Sequence, residues 1–192
     1  MSLRAEANLS PDGSNLANFL HSLQSSRERD KFILIEEFLI AVFPEFARVN
    51  PESDPQRNTV AITLTERGSR TTVPLTQCGT GVEQILCLAT FVITGGKMGA
   101  SEKLMFLLDE PHSYLHPDAE RQLLAFLNTH PEHTYVVATH SPILVNALPP
   151  SAITYVERGR STDVRSSIQR VPSEVMQALA GCGKTNVSQS II

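Results

Sequence analysis

Two apolar segments of the sequence each end in residues that can do chemistry. The run KLMFLLDE ends in Asp109 and Glu110, and the run TYVVATHS ends in Thr139, His140 and Ser141. Both runs are typical of buried strands in a parallel sheet, where ligands bind beyond the carboxyl ends of the strands. Adjacent carboxylates are costly to bury there unless they hold a cation or take up protons. The pattern predicts phosphoryl transfer, in which one carboxylate holds Mg²⁺, the next deprotonates the attacking water, and the histidine lies near the terminal phosphate.

A second candidate for phosphate binding lies near the end of the sequence, in AGCGKTNVS. Gly183, Lys184 and Thr185 match the end of the phosphate-binding loop G-x-x-x-x-G-K-[ST]. The first glycine position of that pattern holds Ala178, however, and residues 172–180 carry the apolar spacing of a helix where a buried strand is required. We therefore interpret this segment as a helix C-terminus followed by a polar loop.

Apolar spacing also predicts the elements that position these groups. Helices are predicted over residues 14–23, 25–42, 82–94, from Pro117 onward, and 172–180. Strands are predicted over residues 59–65, 71–75, 103–110, 134–141, 152–159 and 163–171. Residues 50–58 read as a polar loop, and Ser25 and Glu28 have the spacing of a capping box for the second helix. The alternation of strands and helices over residues 103–157 predicts a parallel sheet with crossover helices.

Composition bounds the class of protein. A chain of 192 residues with 41% hydrophobic and 19% charged residues can form one globular domain with a sizeable core. A net charge of −4 without a long basic cluster argues against nucleic-acid binding by this chain alone. Cys78, Cys87 and Cys182 lack the spacing of a metal site and favour a reducing environment. The longest apolar run, residues 85–93, is too short to cross a membrane, so we expect a soluble cytoplasmic protein.

Three motifs follow one another along the chain: QCGTGVEQIL, LMFLLDEPHSYLHP and YVVATHSP. They resemble, in this order, the signature loop and helix, the Walker B strand and the switch-histidine strand of ABC-class ATPases. The signature has the form seen in the RecF, SMC and OLD (overcoming-lysogenisation-defect) branch. LSPDGSNLANFLHSL also looks like the segment that follows the inserted arm in prokaryotic members of that branch. The resemblance extends over residues 9–157.

The resemblance implies a role for each matching residue. Asp109 is the carboxylate that organises Mg²⁺, Glu110 is the general base, and His140 contacts the γ-phosphate of ATP. The signature loop, which grips the γ-phosphate of ATP bound to the other protomer, consists of Gly79, Thr80 and Gly81. Thr80 keeps the hydroxyl of the usual serine, and the loop lies at a helix N-terminus, which favours anions.

One motif of this family is missing from the sequence. ABC-class ATPases carry a glycine-rich Walker A loop before the signature. Residues 1–77 contain only two glycines, Gly13 and Gly68, and no segment that matches this loop. The resemblance therefore implies an α/β fold that is a partial P-loop NTPase, the C-terminal lobe of an ABC ATPase head. We expect a mostly parallel sheet flanked by helices, with a helical N-terminal segment. We also expect no substantial ATPase activity from this chain alone.

Domain organisation and partners follow from the same resemblance. Residues 1–76 are expected to form a helical segment and β-hairpin, residues 77–160 the ABC core, and residues 161–192 a C-terminal strand, helix and tail. Expected partners are a second copy or a homologous head, in a head-to-tail dimer around ATP and Mg²⁺, and a P-loop lobe. The parent protein is expected to act in DNA maintenance or phage defence, with nucleic-acid contacts made by parts outside this sequence. A Toprim nuclease follows the ATPase in some OLD-type proteins, and the sequence leaves this open here.

Two other classes of function remain open. The first is a non-catalytic interaction module derived from an ABC head, which would dimerise without nucleotide. The second is a metal-dependent hydrolase that uses Asp109, Glu110 and nearby histidines, which would bind a metal tightly without nucleotide.

The remaining histidines are interpreted as structural. His112 and His116 lie four residues apart, but Pro111 and Pro117 place them in a loop, so we expect interface or packing roles in place of a zinc site. Solvated surface positions are predicted for His21, His130 and His133.

Overall fold

The chain has a mixed α/β fold. The computed structural model describes residues 7–54, 59–69, 71–99, 103–148, 152–153, 155–157, 165–166 and 190–191. Two compact units are present: Met1–Leu104 with Phe126–His133, and Met105–Ala125 with Thr134–Ile192. Within the described residues, no helix combines the length and apolar character needed to cross a membrane. The three-part division of the chain at residues 76 and 160 stays a prediction.

The first unit combines helices with an antiparallel sheet. Its helices are α1 (Leu16–Gln24), α2 (Arg29–Val42) and α3 (Thr80–Thr94). Its strands are β1 (Phe46–Asp54), β2 (Thr59–Glu66) and β3 (Thr72–Pro74), in the spatial order β1-β2-β3. The fully buried side chains of this unit include Phe19, Leu20, Leu23, Ile35, Leu39, Leu64 and Leu86. The apolar spacing of the helices and of β2 correctly predicted which faces form this core.

The prediction of a polar loop over residues 50–58 is wrong for its first half. β1 extends to Asp54, and Pro51 pairs with Ile62 of β2. Proline lacks the N–H needed in a central strand, but β1 lies at the edge of its sheet, where that donor is not required. Pairing with the strongly patterned β2 therefore overrides the loop-like composition.

The start of α2 also differs from the predicted capping box. Ser25 is the C-cap of α1, and the N-cap of α2, Glu28, makes no side-chain capping bond. The hydroxyl of Ser26 instead accepts a hydrogen bond from the Glu28 N–H at 3.0 Å. The serine that organises this turn is thus one residue later than predicted.

His133 is buried, which corrects its predicted surface position. Its Nδ1 accepts a hydrogen bond from the Leu104 N–H at 3.1 Å, and its Nε2 lies 2.9 Å from the Val92 carbonyl. With Nδ1 accepting, Nε2–H is the donor to Val92. That carbonyl is among the last four of α3, which have no partner within the helix. His133 therefore caps α3 from a distant part of the sequence.

The second unit contains the strands that precede the candidate site. β4 (Met105–Asp109) and β5 (Thr134–Ala138) pair in parallel, with Asp109 opposite Ala138. Helix α4 (Pro117–Asn128) follows β4, and its residues are divided between the two units. Helix α5 (Pro142–Asn146) follows β5. A second sheet of this unit, in the order β7-β6-β8, is formed by β6 (Tyr155–Glu157), β7 (Arg165–Ser166) and β8 (Ser190–Ile191).

The predicted parallel sheet is confirmed for β4 and β5, but the third predicted strand belongs elsewhere. β6 pairs antiparallel with both β7 and β8. α5 has five residues and is about 7.5 Å long, whereas a five-residue strand spans about 16 Å, so α5 is too short for a crossover helix. The predicted helix over residues 172–180 and the G-K-T segment lie outside the described residues.

Candidate active site

The end of β4 turns sharply at the predicted base. Asp109 is the last residue of the strand and is exposed, and the Glu110 N–H donates a hydrogen bond to the Ala138 carbonyl at 2.8 Å. Glu110 has φ of +46°, in the left-handed region. For a residue with a Cβ this conformation costs about 1–2 kcal/mol, and such backbone strain is concentrated at functional sites. The turn thus holds Glu110 at the carboxyl end of the neighbouring strand.

Glu110 lies between two histidines. Its Oε1 is 2.7 Å from Nδ1 of His140, and its Oε2 is 3.2 Å from Nδ1 of His112. The rings of His112 and His140 meet edge to face, with centroids 5.1 Å apart. The His112 side chain is 12% exposed and that of His140 is 65% exposed, so the cluster is open to solvent on the His140 side.

Thr139 connects this cluster to the backbone. Its hydroxyl donates to Glu110 Oε2 at 3.4 Å and lies 3.1 Å from Nδ1 of His112. It also accepts a hydrogen bond from the Ser141 N–H at 3.0 Å. Thr139 is buried, with 4% of its surface exposed, so these bonds fix the direction in which β5 leaves the sheet.

A buried carboxylate supports the same segment from α4. The Ser141 hydroxyl donates to Oε2 of Glu120, which lies in the first turn of α4 and is only 7% exposed. The same hydroxyl accepts from the N–H groups of Ile143 and Leu144 as the N-cap of α5. His140 is therefore flanked by Thr139 and Ser141, two buried residues with satisfied side chains.

The predicted site residues fall into two groups. Asp109, Glu110 and His140 come together at the carboxyl ends of β4 and β5 in the second unit. Gly79, Thr80 and Gly81 lie in the first unit, at the start of α3. Gly79 is the N-cap with φ of +86°, a conformation that favours glycine, and it has no side chain to cap the helix.

Sequence reasoning missed the parts played by His112, Ser141 and Glu120. The sequence spacing pairs His112 with His116, four residues further on, whereas the structure places His112 beside Glu110. Nδ1 of His116 instead accepts from the Asp118 N–H at the start of α4, at 3.5 Å. A serine followed by proline after a buried strand was a usable signal for the N-cap at Ser141.

The donor set at the end of β4 fits Mg²⁺. Asp109 and Glu110 supply carboxylate oxygens, which are the ligands that hard cations prefer, and both are at least partly accessible to solvent. A bare carboxylate pair is more easily accommodated at this open edge than inside the sheet.

Solved structures with a similar fold include three from SMC proteins. One belongs to a study of "ATP-driven dimerization and DNA stimulated activation of SMC ATPases", with a TM-score of 0.57 and 13% identity, covering 81% of this chain and 94% of that one. The Smc head domain of Pyrococcus yayanosii, with a coiled coil and joint, has a TM-score of 0.55 and 14% identity, covering 88% of this chain and 32% of that one. The Smc head domain of Pyrococcus furiosus, bound to the C-terminal domain of ScpA, has a TM-score of 0.51 and 14% identity, covering 88% of this chain and 43% of that one.

These similarities, together with the family match given below, confirm the predicted fold class, a mixed α/β fold with a parallel sheet that is similar to SMC ATPase heads. No curated protein matches the sequence. Residues 4–146, more than half of the chain, match the model of the family described as "AAA domain, putative AbiEii toxin, Type IV TA system", and the chain therefore belongs to this family.

Proposed function

We propose that the chain is the C-terminal lobe of an ABC-type ATPase head. The observation that carries this proposal is the 2.7 Å contact between Glu110 and His140, directly after Asp109 and across two neighbouring parallel strands. A carboxylate that can take a proton from water, with a histidine at the end of the next strand that can contact a phosphate, is an arrangement that can serve phosphoryl transfer.

Each of the three predicted site residues in the second unit has a distinct part in this reaction. Asp109 holds Mg²⁺, and bound Mg²⁺ supplies charge neutralisation for the phosphate oxygens. Glu110 accepts the proton of the attacking water. His140 donates from Nδ1 to Glu110 Oε1, which fixes the carboxylate, and its side chain is 65% exposed, so that Nε2 can contact a terminal phosphate.

The signature residues act on a nucleotide held by a partner. Thr80 and Gly81 begin a 15-residue helix with Gly79 as its N-cap, and the first N–H groups of the helix have no partner within it. These N–H groups, the helix dipole and the Thr80 hydroxyl favour a γ-phosphate. ATP-driven dimerisation is described for SMC ATPases of similar fold, which supports a head-to-tail ATP-bound dimer here. DNA-stimulated activation of those proteins supports a parent that acts on DNA, and we propose DNA maintenance or phage defence as its role.

An exposed apolar face supports the proposal that this lobe needs a second one. Met105 and Leu107 of β4 are 67% and 75% exposed, while the alternate residues Phe106 and Leu108 are half-buried. Parallel sheets are normally covered on both faces. With no Walker A loop before the signature, we propose a P-loop lobe as the missing partner.

Calorimetric titration of Mg-ATP into the folded chain is the direct test, with circular dichroism as the control for folding. We expect no binding by the chain alone. We expect turnover when a P-loop lobe of an ABC-type head is added, and its loss when Glu110→Gln replaces the wild-type chain. Micromolar Mg-ATP binding by the chain alone would contradict the incomplete-head proposal. Turnover that is unchanged by Glu110→Gln would contradict the catalytic assignment.

The exposed face of β4 also favours a second candidate function, a non-catalytic interaction module. A module of this kind would associate through Met105 and Leu107 without nucleotide. Sedimentation velocity distinguishes the two candidates. A dimer that forms without nucleotide and is lost in Leu107→Lys supports the module, whereas a monomer at all accessible concentrations supports the incomplete head.

A further inference from the structure

Three metal-ligating side chains meet at the end of the parallel strand pair. Glu110, His112 and His140 each offer a ligand atom, and these atoms all lie within 4.8 Å of one another. The nearest pairs are Glu110 Oε1 with His140 Nδ1 at 2.7 Å, and Glu110 Oε2 with His112 Nδ1 at 3.2 Å. Two imidazoles and one carboxylate form this cluster, which differs from the all-oxygen set of Asp109 and Glu110.

The identity of the ligands selects the class of cation. Mg²⁺ prefers oxygen ligands in octahedral geometry, whereas zinc and similar divalent transition ions bind imidazole well. Metal–ligand bonds of about 2.0–2.1 Å place neighbouring ligands of a tetrahedral ion about 3.4 Å apart. The observed separations of 2.7 and 3.2 Å run to different oxygens of Glu110, and all three ligand atoms of the cluster lie within 4.8 Å of one another. A small rearrangement of these side chains therefore accommodates the ion.

We propose that Glu110, His112 and His140 form a three-ligand site for a divalent transition cation of the Zn²⁺ class. The carboxylate binds through an oxygen and the imidazoles through the Nδ1 atoms that now contact Glu110, and on binding any Nδ1 proton moves to Nε2 or is released to solvent. The exposed side at His140 leaves the fourth position open to water. Thr139 remains beside His112 and holds the ends of both strands in place.

This site goes beyond the proposed ATPase role, since its occupancy depends on neither nucleotide nor a partner lobe. A bound ion occupies the lone pairs of Glu110 and His140. If Glu110 is the base, as proposed above, the ion therefore inhibits ATP hydrolysis. Binding and inhibition are separate measurements, and binding alone decides whether the site exists.

The test is a titration of the metal-free chain with Co²⁺, followed by visible absorption, and with Zn²⁺, followed by calorimetry, both without nucleotide. We expect one ion per chain and d–d bands of a tetrahedral Co²⁺ centre without thiolate charge-transfer bands. His112→Ala should weaken binding by roughly 100-fold or more, because loss of an outer-shell partner alone costs about 10–100-fold. The matched control is His116→Ala, which removes a histidine of the same loop whose Nδ1 bonds to the Asp118 N–H.

The proposal would be overturned by an absence of binding to the wild-type chain, by equal binding to His112→Ala, or by loss of binding in His116→Ala. Thiolate bands would place the ion on cysteine and would overturn it as well. Should His112→Ala fail to fold, histidine ¹⁵N spectra of the wild-type chain decide. Zn²⁺ should shift the ring signals of His112 and His140 and leave that of His21 in place.

Discussion

Oε1 of Glu110 and Nδ1 of His140 are 2.7 Å apart, across the ends of two parallel strands. An ionised carboxylate can only accept hydrogen bonds, so the proton between these atoms belongs to His140. The neutral imidazole is therefore the Nδ1–H tautomer, with a lone pair on Nε2. A contact between Nε2 and an anionic phosphate consequently requires the doubly protonated ring.

The tautomer of His140 is the first testable consequence. Histidine ¹⁵N spectra of the wild-type chain at a pH where the ring is neutral should show His140 mainly as Nδ1–H. Glu110→Ala removes the acceptor and should return His140 toward the Nε2–H tautomer. His21, which lies in the last turn of α1, is the control and should not change. A His140 spectrum that is identical in the two proteins would show that Glu110 does not orient the ring.

Ser141 should be essential for the stability of the second unit. Ser141→Ala removes the hydrogen bond to the buried Glu120 carboxylate and the N-cap of α5. A hydrogen bond to a charged group contributes about 1.5–3 kcal/mol and an N-cap about 1 kcal/mol, so we expect a loss of about 2–4 kcal/mol in urea unfolding. Ser141→Thr keeps the hydroxyl and should recover most of this loss. Equal losses for the two variants would assign the effect to packing and not to hydrogen bonding.

The sequence predicted which residues come together at the candidate site, but it did not predict the contacts that surround them. Asp109, Glu110 and His140 were found because each follows a buried apolar run, and the ends of parallel strands meet at one edge of a sheet. The contact of His112 with Thr139 was missed because Thr139 follows the next strand, and no local pattern reveals that proximity. Their assigned roles in catalysis remain predictions.

The errors in the predicted fold have the same non-local origin. Pro51 has the local sequence of a loop residue, but it lies in the edge strand β1 and pairs with Ile62 of β2. His133 reads as a surface residue until it reaches the carbonyl of Val92. The third predicted strand has β7 and β8 as its partners, a choice that strand propensity does not encode.

The capping of α3 by His133 predicts a large stability effect. His133→Ala leaves the Leu104 N–H and the Val92 carbonyl without this partner in a buried region. An unsatisfied buried group costs about 1–3 kcal/mol, so we expect about 2–4 kcal/mol of destabilisation by urea unfolding. His21→Ala, at a half-buried position, should change stability by less than about 0.5 kcal/mol. Similar values for the two variants would contradict the capping role.

Cys87 should be unreactive at neutral pH. Burial raises the pKa of its thiol to about 11, with smaller contributions from the carboxylates of Glu83 and Asp12. Its thiolate fraction at pH 8 is then about one thousandth, compared with roughly a quarter for an unperturbed cysteine. Alkylation by iodoacetamide, followed by peptide mass mapping, should be about 250-fold slower than for a free-cysteine peptide. Its rate should rise about tenfold per pH unit between pH 8 and 10.

Cys78 provides the internal comparison for this experiment. Burial also raises the pKa of its thiol, but the increase is smaller than that for Cys87. Cys78 should therefore react faster than Cys87 at every pH below about 10. Equal rates at pH 8 would show that the surroundings of Cys87 open more readily than its burial implies.

A substitution of Gly13 tests the packing around Cys87. Its φ is +69°, and a Cβ at this position would lie 2.9 Å from the Cys87 sulfur. Gly13→Ala therefore combines backbone strain of about 1–2 kcal/mol with an overpacking cost of about 1–3 kcal/mol. We expect a total of about 2–5 kcal/mol by urea unfolding.

Gly68→Ala is the matched control, because it has a similar φ of +75° and no atom within 4 Å of the added Cβ. It should cost only the strain, about 1–2 kcal/mol. Cys87→Ala, which removes the sulfur, should lower the cost of Gly13→Ala by about 1 kcal/mol and leave that of Gly68→Ala unchanged. If both glycine substitutions cost the same in the two backgrounds, backbone strain alone explains the effect and the contact with Cys87 contributes nothing.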